Sequence, residues 1–141
     1  MAGKDYKLDL LRKVPLFQGL SKRDLELVER LTDEIDVPEG KVLIKQGTSG
    51  HEFFIVVEGT LRVERDGQVI RKLGPGDFAG EIALIDGGQR TATVIADTPA
   101  RLLVVGHREF FSLLGQYPDI QIQVLQALAR RVRVSEPTGL H

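Results

Sequence analysis

Apolar and polar positions change their spacing twice along the chain. Leu8, Leu10 and Leu11 begin a short amphipathic helix that Pro15 stops. Ser21 with Asp24 has the form of an N-cap and capping-box variant, and Leu25, Val28 and Leu31 follow at helical intervals. From Ile35 to about Val105 the pattern becomes a series of short β-like runs, at 35–37, 42–45, 53–58, 60–65, 68–73, 91–96 and 101–105. The breaks between them are turn chemistry: Pro38-Glu39-Gly40, Gly47-Thr48-Ser49-Gly50, Glu58-Gly59, Asp66-Gly67 and Gly74-Pro75-Gly76. Asp66-Gly67 predicts a two-residue hairpin of type I′, which needs positive φ at both central positions. A recurrence of about 8–12 residues predicts antiparallel pairing, and no run long enough for a crossover helix separates the strands. The helical period then returns. Glu109 to Leu114 form one short helix ending near Gly115, and a longer one runs from about Pro118 to Val134 with Leu125, Leu128 and Val132 on one core-facing stripe.

The expected fold is therefore mainly β with flanking helices: an antiparallel, jelly-roll-like β-roll with N-terminal helices and a C-terminal helix pair. Its expected parts are an N-terminal helical segment at 1–34, the roll at 35–106, the C-terminal helices at 107–135 and a tail at 136–141. A length of 141 residues suits one such domain.

Residues 74–94, GPGDFAGEIALIDGGQRTATV, break the β pattern. Glycine-rich backbone leads into Glu81-Ile82-Ala83-Leu84, enough for a turn or so of helix. Gly87-Gly88 follows, and Arg90-Thr91-Ala92-Thr93 opens the next strand. A helix start presents free amides to an anion, and glycine lets the backbone approach it closely. Arginine adds a paired-donor fork for phosphate oxygens, and the Thr91 hydroxyl one more donor. Glu81 would repel a phosphate but suits a neutral sugar hydroxyl. The stretch thus asks for one ligand carrying both an anion and a sugar. The plainer readings are a surface ion pair of Arg90 with Asp86, a helix-start charge at Glu81 and a β-branched strand residue at Thr91.

GEIAL, the step of nine residues from Glu81 to Arg90, and RTATV resemble the phosphate-binding cassette of the cyclic nucleotide-binding domain family. PLFQGLS at 15–21, EGTLRV at 58–63 and the PGDFAGE entry resemble other features of that family. It includes regulatory subunits of cyclic-nucleotide-dependent kinases, nucleotide-gated channels and bacterial catabolite activator regulators. The resemblance implies that Gly80 and Glu81 hold the ribose 2′-hydroxyl and that the amides of Ile82 and Ala83 reach the phosphate. It implies that Arg90 pairs with the phosphate, with Thr91 and Ala92 beside it. It further implies that the last helix moves against the base, with Ser135 of LARRVRVS in register with an adenine-contacting hydroxyl residue of the bacterial regulators. Glu136-Pro137 departs from those regulators, whose helix continues. The ligand implied is cAMP or cGMP, and a hydroxyl at Thr91 suits both. The partners implied are an effector domain or protein and a second copy of the chain through the last helix.

Composition removes other classes. There is no cysteine, which excludes disulfides and thiol catalysis. His51, His107 and His141 lack metal-ligand spacing, so neither a metal nor a cofactor is expected. A formal charge of −1 gives no general pull toward nucleic acid or a membrane, and no apolar run is long enough to span a bilayer. Arg130, Arg131 and Arg133 lack the interleaved aromatics of a nucleic-acid surface and read as a solvated face. Met1 to Asp5 shows no signal-peptide pattern, and the absence of cysteine suggests the cytosol, so the expected location is cytoplasmic. Gly74-Pro75-Gly76-Asp77-Phe78-Ala79 fits a dinucleotide fingerprint by letters, but no parallel β-α-β unit surrounds it. A binding module is the expected class, not an enzyme. The alternative is a cupin-like small-molecule enzyme on the same roll, which would need convergent catalytic groups.

Overall fold

The computed structural model describes residues 4–80 and 89–135, with side chains described at 6–80, 89–127 and 129. It divides into two units, one of Met1–Arg30 with Ser112–His141 and one of Leu31–Phe111.

Among the described residues, Leu31–Phe111 holds eight strands: β1 (Asp33–Val37), β2 (Val42–Ile44), β3 (Glu52–Glu58), β4 (Leu61–Arg65), β5 (Gln68–Leu73), β6 (Phe78–Ala79), β7 (Thr93–Ala96) and β8 (Ala100–Gly106). They form two four-stranded sheets, in the orders β1-β8-β3-β6 and β2-β7-β4-β5, and every pairing is antiparallel. One core joins the sheets. Val37, Phe54, Val56, Leu102 and Val104 of the first sheet pack with Ile44, Leu61, Val63, Leu73, Val94 and Ala96 of the second. The alternation along β4, with Leu61 and Val63 buried and their neighbours less so, is the period-two pattern of a strand with one face inward.

The turns follow their residues. Asp66 and Gly67 have φ of 54° and 82°, the two positive values that the hairpin turn requires. Gln46 steadies that turn from β2's end. Its Nε2 donates to Asp66 Oδ1, and its Oε1 accepts from the Asp66 amide, both at 3.0 Å. The short strand β6 was not legible from its pattern. Two residues, Phe78 and Ala79, pair with Ile55 and Phe54 of β3 at the entry to the cassette. Strand β7 begins at Thr93, so Arg90 and Thr91 precede the strand they were expected to open.

On the outer face of the second sheet, Asp97 receives Lys72 Nζ at 3.0 Å and Arg62 Nη1 at 3.1 Å. Lys72 first and Arg62 second hold its carboxyl below the usual carboxylate range. A carboxylate whose pKa is depressed by folding adds stability above its unfolded value of about 4, and that stability is lost as pH falls through the folded value. Asp97→Asn is therefore expected to lower the melting temperature slightly at neutral pH and to flatten its decline below about pH 4. Thermal melts between pH 2 and 7 check this; an unchanged acid limb would rule it out.

The other unit holds α1 (Lys4–Arg12), a 3-10 turn at Pro15–Phe17, α2 (Lys22–Glu29) and the long helix at Pro118–Ser135. The helix at His107–Gln116, α3, runs from the first unit into this one, so Pro118–Ser135 is α4. Ser21 caps α2 as expected, its Oγ accepting the Asp24 amide at 3.1 Å. Leu8, Leu11, Leu16, Phe17, Leu25 and Val28 are buried. One expectation fails here. The buried stripe of α4 is Ile120, Val124 and Ala127, while Leu125 is 57% exposed. The i, i+4, i+7 row beginning at Ile120 takes the inward face, and Leu125 is turned about 100° from Val124. The side chains of Leu128, Val132 and the arginines at 130, 131 and 133 lie outside the described residues.

Candidate functional site

The entry to the cassette is a tight turn. The Gly74 amide donates to Asp77 Oδ2 at 2.8 Å, and the Asp77 amide returns to the Gly74 carbonyl at 2.9 Å. Gly76 N and Asp77 O then bond Val56 of β3, which starts the short β6 pairing. Phe54 opposite Ala79 brings the next residue, Gly80, beside the start of β3.

The exit is fixed from the β2–β3 loop. Arg90 N donates to Thr48 O at 2.7 Å, and Gly47 N donates to Arg90 O at 2.9 Å. Gln89 bridges Ser49, and its Nε2 donates to Gly47 O at 2.9 Å. The entry thus bonds β3 from Val56 back toward its start, and the exit bonds the β2–β3 loop that leads into that start. Gly80 at the entry and Arg90 at the exit meet there, beside the Glu52 carbonyl.

Arg90 is the centre of this arrangement. Its Nη2 donates to the Glu52 carbonyl at 2.5 Å, and the side chain is half-buried. Among the described residues it has no ion pair. Burial pushes the guanidinium pKa down, and the Glu52 carboxylate opposes this only in part. Arginine stays charged all the same, so the site holds a partly desolvated cation whose fork is aimed by a backbone carbonyl. An incoming anion with two oxygens would offset that desolvation.

Gly80 has φ of +88°, and a Cβ there would lie 2.6 Å from Arg90 Nη1 and 2.8 Å from the Glu52 carbonyl oxygen. Glycine is required both by the backbone conformation and by the guanidinium that fills its open side. Gly80→Ala is expected to displace Arg90 from the Glu52 carbonyl and weaken anion binding by about tenfold or more, the scale of one lost charge-assisted hydrogen bond. Titration of the variant measures it, and wild-type affinity would contradict the geometry.

The remaining expected residues divide. Thr91 is exposed, and its carbonyl accepts from Arg65 Nε at 3.2 Å. Ala92 is half-buried and packs against the roll's core. Glu81, Ile82, Ala83 and Asp86 lie outside the described residues, as does the side chain of Ser135. Sequence reasoning missed Glu52, Thr48 and Gly47. They act through backbone atoms, and only the glycine carries a residue-type signal. It also missed Arg65. His51 lies in a loop and His107 opens α3, with ring centroids 6.5 Å apart and no cluster of metal ligands among the described residues.

Two sheets closed around one core, with a glycine-rich segment delivering a half-buried arginine, define a domain for an anionic small ligand. The cyclic nucleotide-binding domain family matches residues 34–117, and the chain belongs to that family. The chain is 31% identical over 127 residues to the Cyclic AMP receptor protein of Thermus thermophilus, covering 86% of this chain and 59% of that one. It is 41% identical over 123 residues to the Cyclic nucleotide-gated potassium channel mll3241 of Mesorhizobium japonicum, covering 86% of this chain and 34% of that one. In structure it is similar to the N-terminal domain of a transcriptional regulator from Streptomyces coelicolor, with a TM-score of 0.84 and 32% identity over 94% of this chain and 96% of that one. The chain thus spans from about a third to three-fifths of the two curated relatives. It is a nucleotide-binding regulatory domain of the signalling type and not an enzyme, which sets aside the cupin-like alternative.

Proposed function

We propose that this domain senses cAMP or cGMP and passes the binding event to an effector through its C-terminal helix. The observation that carries it is the half-buried Arg90 fork, held by the Glu52 carbonyl and without an ion pair among the described residues. Arg90 takes the cyclic phosphate, with the Ile82 and Ala83 amides beside it. Gly80 and Glu81 hold the ribose 2′-hydroxyl, and Thr91 and Ala92 line the exit. Ser135 approaches the base.

Residues 35–106 act as the binding roll and α4 as the moving part. Ile122 and Leu125 support this role for α4. They lie three residues apart, and both are exposed, at 52% and 57%. Apolar side chains on that face suit either the base of a bound nucleotide or a second copy of the chain. A ligand shifts the equilibrium only by binding one helix position better than another. A cytoplasmic location is part of this proposal. Separately, no helix among the described residues is long and apolar enough to cross a membrane.

Hydrogen exchange with and without saturating cAMP or cGMP separates the two parts of this reading. Slower exchange over residues 74–94 is expected from binding, and altered exchange over 118–135 from coupling. A response confined to 74–94 would sink the coupling alone. No response anywhere would sink both.

A further inference from the structure

Strands β2 and β7 pair from Val42 opposite Ile95 to Ile44 opposite Val94, and there the ladder stops. Pairing resumes where the β2–β3 loop meets the cassette exit, with Gly47 and Thr48 bonded to Arg90 and Ser49 opposite Gln89. Lys45 and Gln46 lie in the gap on one side, Thr91 and Ala92 on the other. Side chains bridge it. The Gln46 amide donates to Thr93 Oγ1 at 3.0 Å, and the Thr91 carbonyl accepts from Arg65 Nε at 3.2 Å.

Gln46 ties this gap to the β4–β5 hairpin. Its side-chain amide gives one hydrogen bond to Asp66 Oδ1 and takes one from the Asp66 backbone amide, both at 3.0 Å. Asp66 follows Arg65 in the chain, and Thr91 follows Arg90. The contacts therefore close a ring: Gln46 to Asp66, Arg65 to Thr91, and Arg90 back to Gly47, the neighbour of Gln46. The Glu52 carbonyl aims the far end of the Arg90 side chain, and the ring fixes its root.

We propose that Gln46 is a positioning residue for ligand binding: through the hairpin it holds the backbone of Arg90 where the guanidinium fork meets the anion. The proposal rests on the cyclic-nucleotide reading of the site. Gln46 acts through Asp66, Arg65 and Thr91, not by touching the ligand. A cation that is already placed binds without first being ordered, so loosening the ring lowers affinity while removing no contact to the ligand. Glutamine suits the place because its amide carries a donor and an acceptor side by side. Asp66 offers the matching acceptor and donor in its carboxylate and backbone amide. Glutamate there would lose the donor and set two carboxylates against each other.

Calorimetric titration of cAMP and cGMP into the full chain, well below its melting temperature, tests this, with a ligand-free melt of each protein. Gln46→Glu is expected to weaken binding about threefold to tenfold, the scale of one lost hydrogen bond. Asp66→Asn should bind as the wild type does, since its Oδ1 still accepts and asparagine tolerates the φ of 54°. Combining Gln46→Glu with Asp66→Asn exchanges donor and acceptor and re-forms the pair, so affinity should return to within about twofold of wild type. Asp66→Gly keeps the positive φ, removes the carboxylate from an exposed turn, and should weaken binding about threefold, which tests the link without altering Gln46. A mere brace of the turn would lower the melt and leave the affinity of the folded protein unchanged. Wild-type affinity in Gln46→Glu and Asp66→Gly therefore overturns the proposal, as does a loss in Gln46→Glu that the combined substitution does not restore. A wild type that binds neither nucleotide overturns the reading of the site itself, which separates the two failures.

Discussion

Arg90→Ala is expected to abolish cyclic nucleotide binding at micromolar ligand while leaving the unliganded domain folded. Truncating one partner of a buried, hydrogen-bonded charge pair costs about 2–5 kcal/mol of binding, or roughly thirtyfold to several thousandfold in affinity. The cost falls on the complex because the free domain already carries the penalty of a partly desolvated cation. Removing the side chain forfeits one hydrogen bond to the Glu52 carbonyl and relieves that desolvation, and the two changes oppose each other. Arg90→Lys keeps the charge but loses the paired-donor fork, so its affinity should fall between the two. Titration of the three proteins, with a melt of each without ligand, measures both halves. Wild-type affinity in Arg90→Ala would remove the residue from the site.

Gly59→Ala should have the largest effect on the fold. Gly59 turns the chain between β3 and β4 at φ of +90°, and a Cβ there would meet the Pro99 carbonyl oxygen and come within 2.9 Å of Ala100 Cα and Cβ. The obstacles are mainly backbone of the β7–β8 turn. That turn cannot withdraw freely, because Thr60 N donates to Thr98 Oγ1 at 3.0 Å and Asp97 N donates to Thr60 O at 2.8 Å. Left-handed backbone costs a non-glycine residue about 1–2 kcal/mol, and overpacking about 1–3 kcal/mol. Together they give about 2–5 kcal/mol, or roughly 6–20 °C in melting temperature for a domain of this size. A thermal melt of Gly59→Ala checks it, and a shift below about 2 °C would contradict the packing of these turns.

Most of the roll was legible because period-two alternation and glycine turns are local signals. Asp66-Gly67 named its own turn type, and Ser21 named its own cap. What was not legible depended on partners far away in sequence. Strand β6 has only Phe78 and Ala79, too few for a period, and exists because β3 offers Phe54 and Ile55. Leu125 was misplaced because two stripes on α4 are nearly equivalent by composition, and packing selects Ile120, Val124 and Ala127. Arg90 could be picked out by its motif, yet the atom that aims it, the Glu52 carbonyl, has no side-chain signature.

The central claim is that this domain holds a cyclic nucleotide through Arg90. The most direct measurement is a thermal-shift series of the unaltered domain with cAMP, cGMP and their linear 5′-monophosphates. A ligand that binds only the folded state raises stability by about 2.7 kcal/mol at a hundredfold excess over its dissociation constant. The account predicts a rise of roughly 8 °C or more with at least one cyclic nucleotide and a much smaller one with its linear counterpart. No rise with either cyclic nucleotide would contradict it.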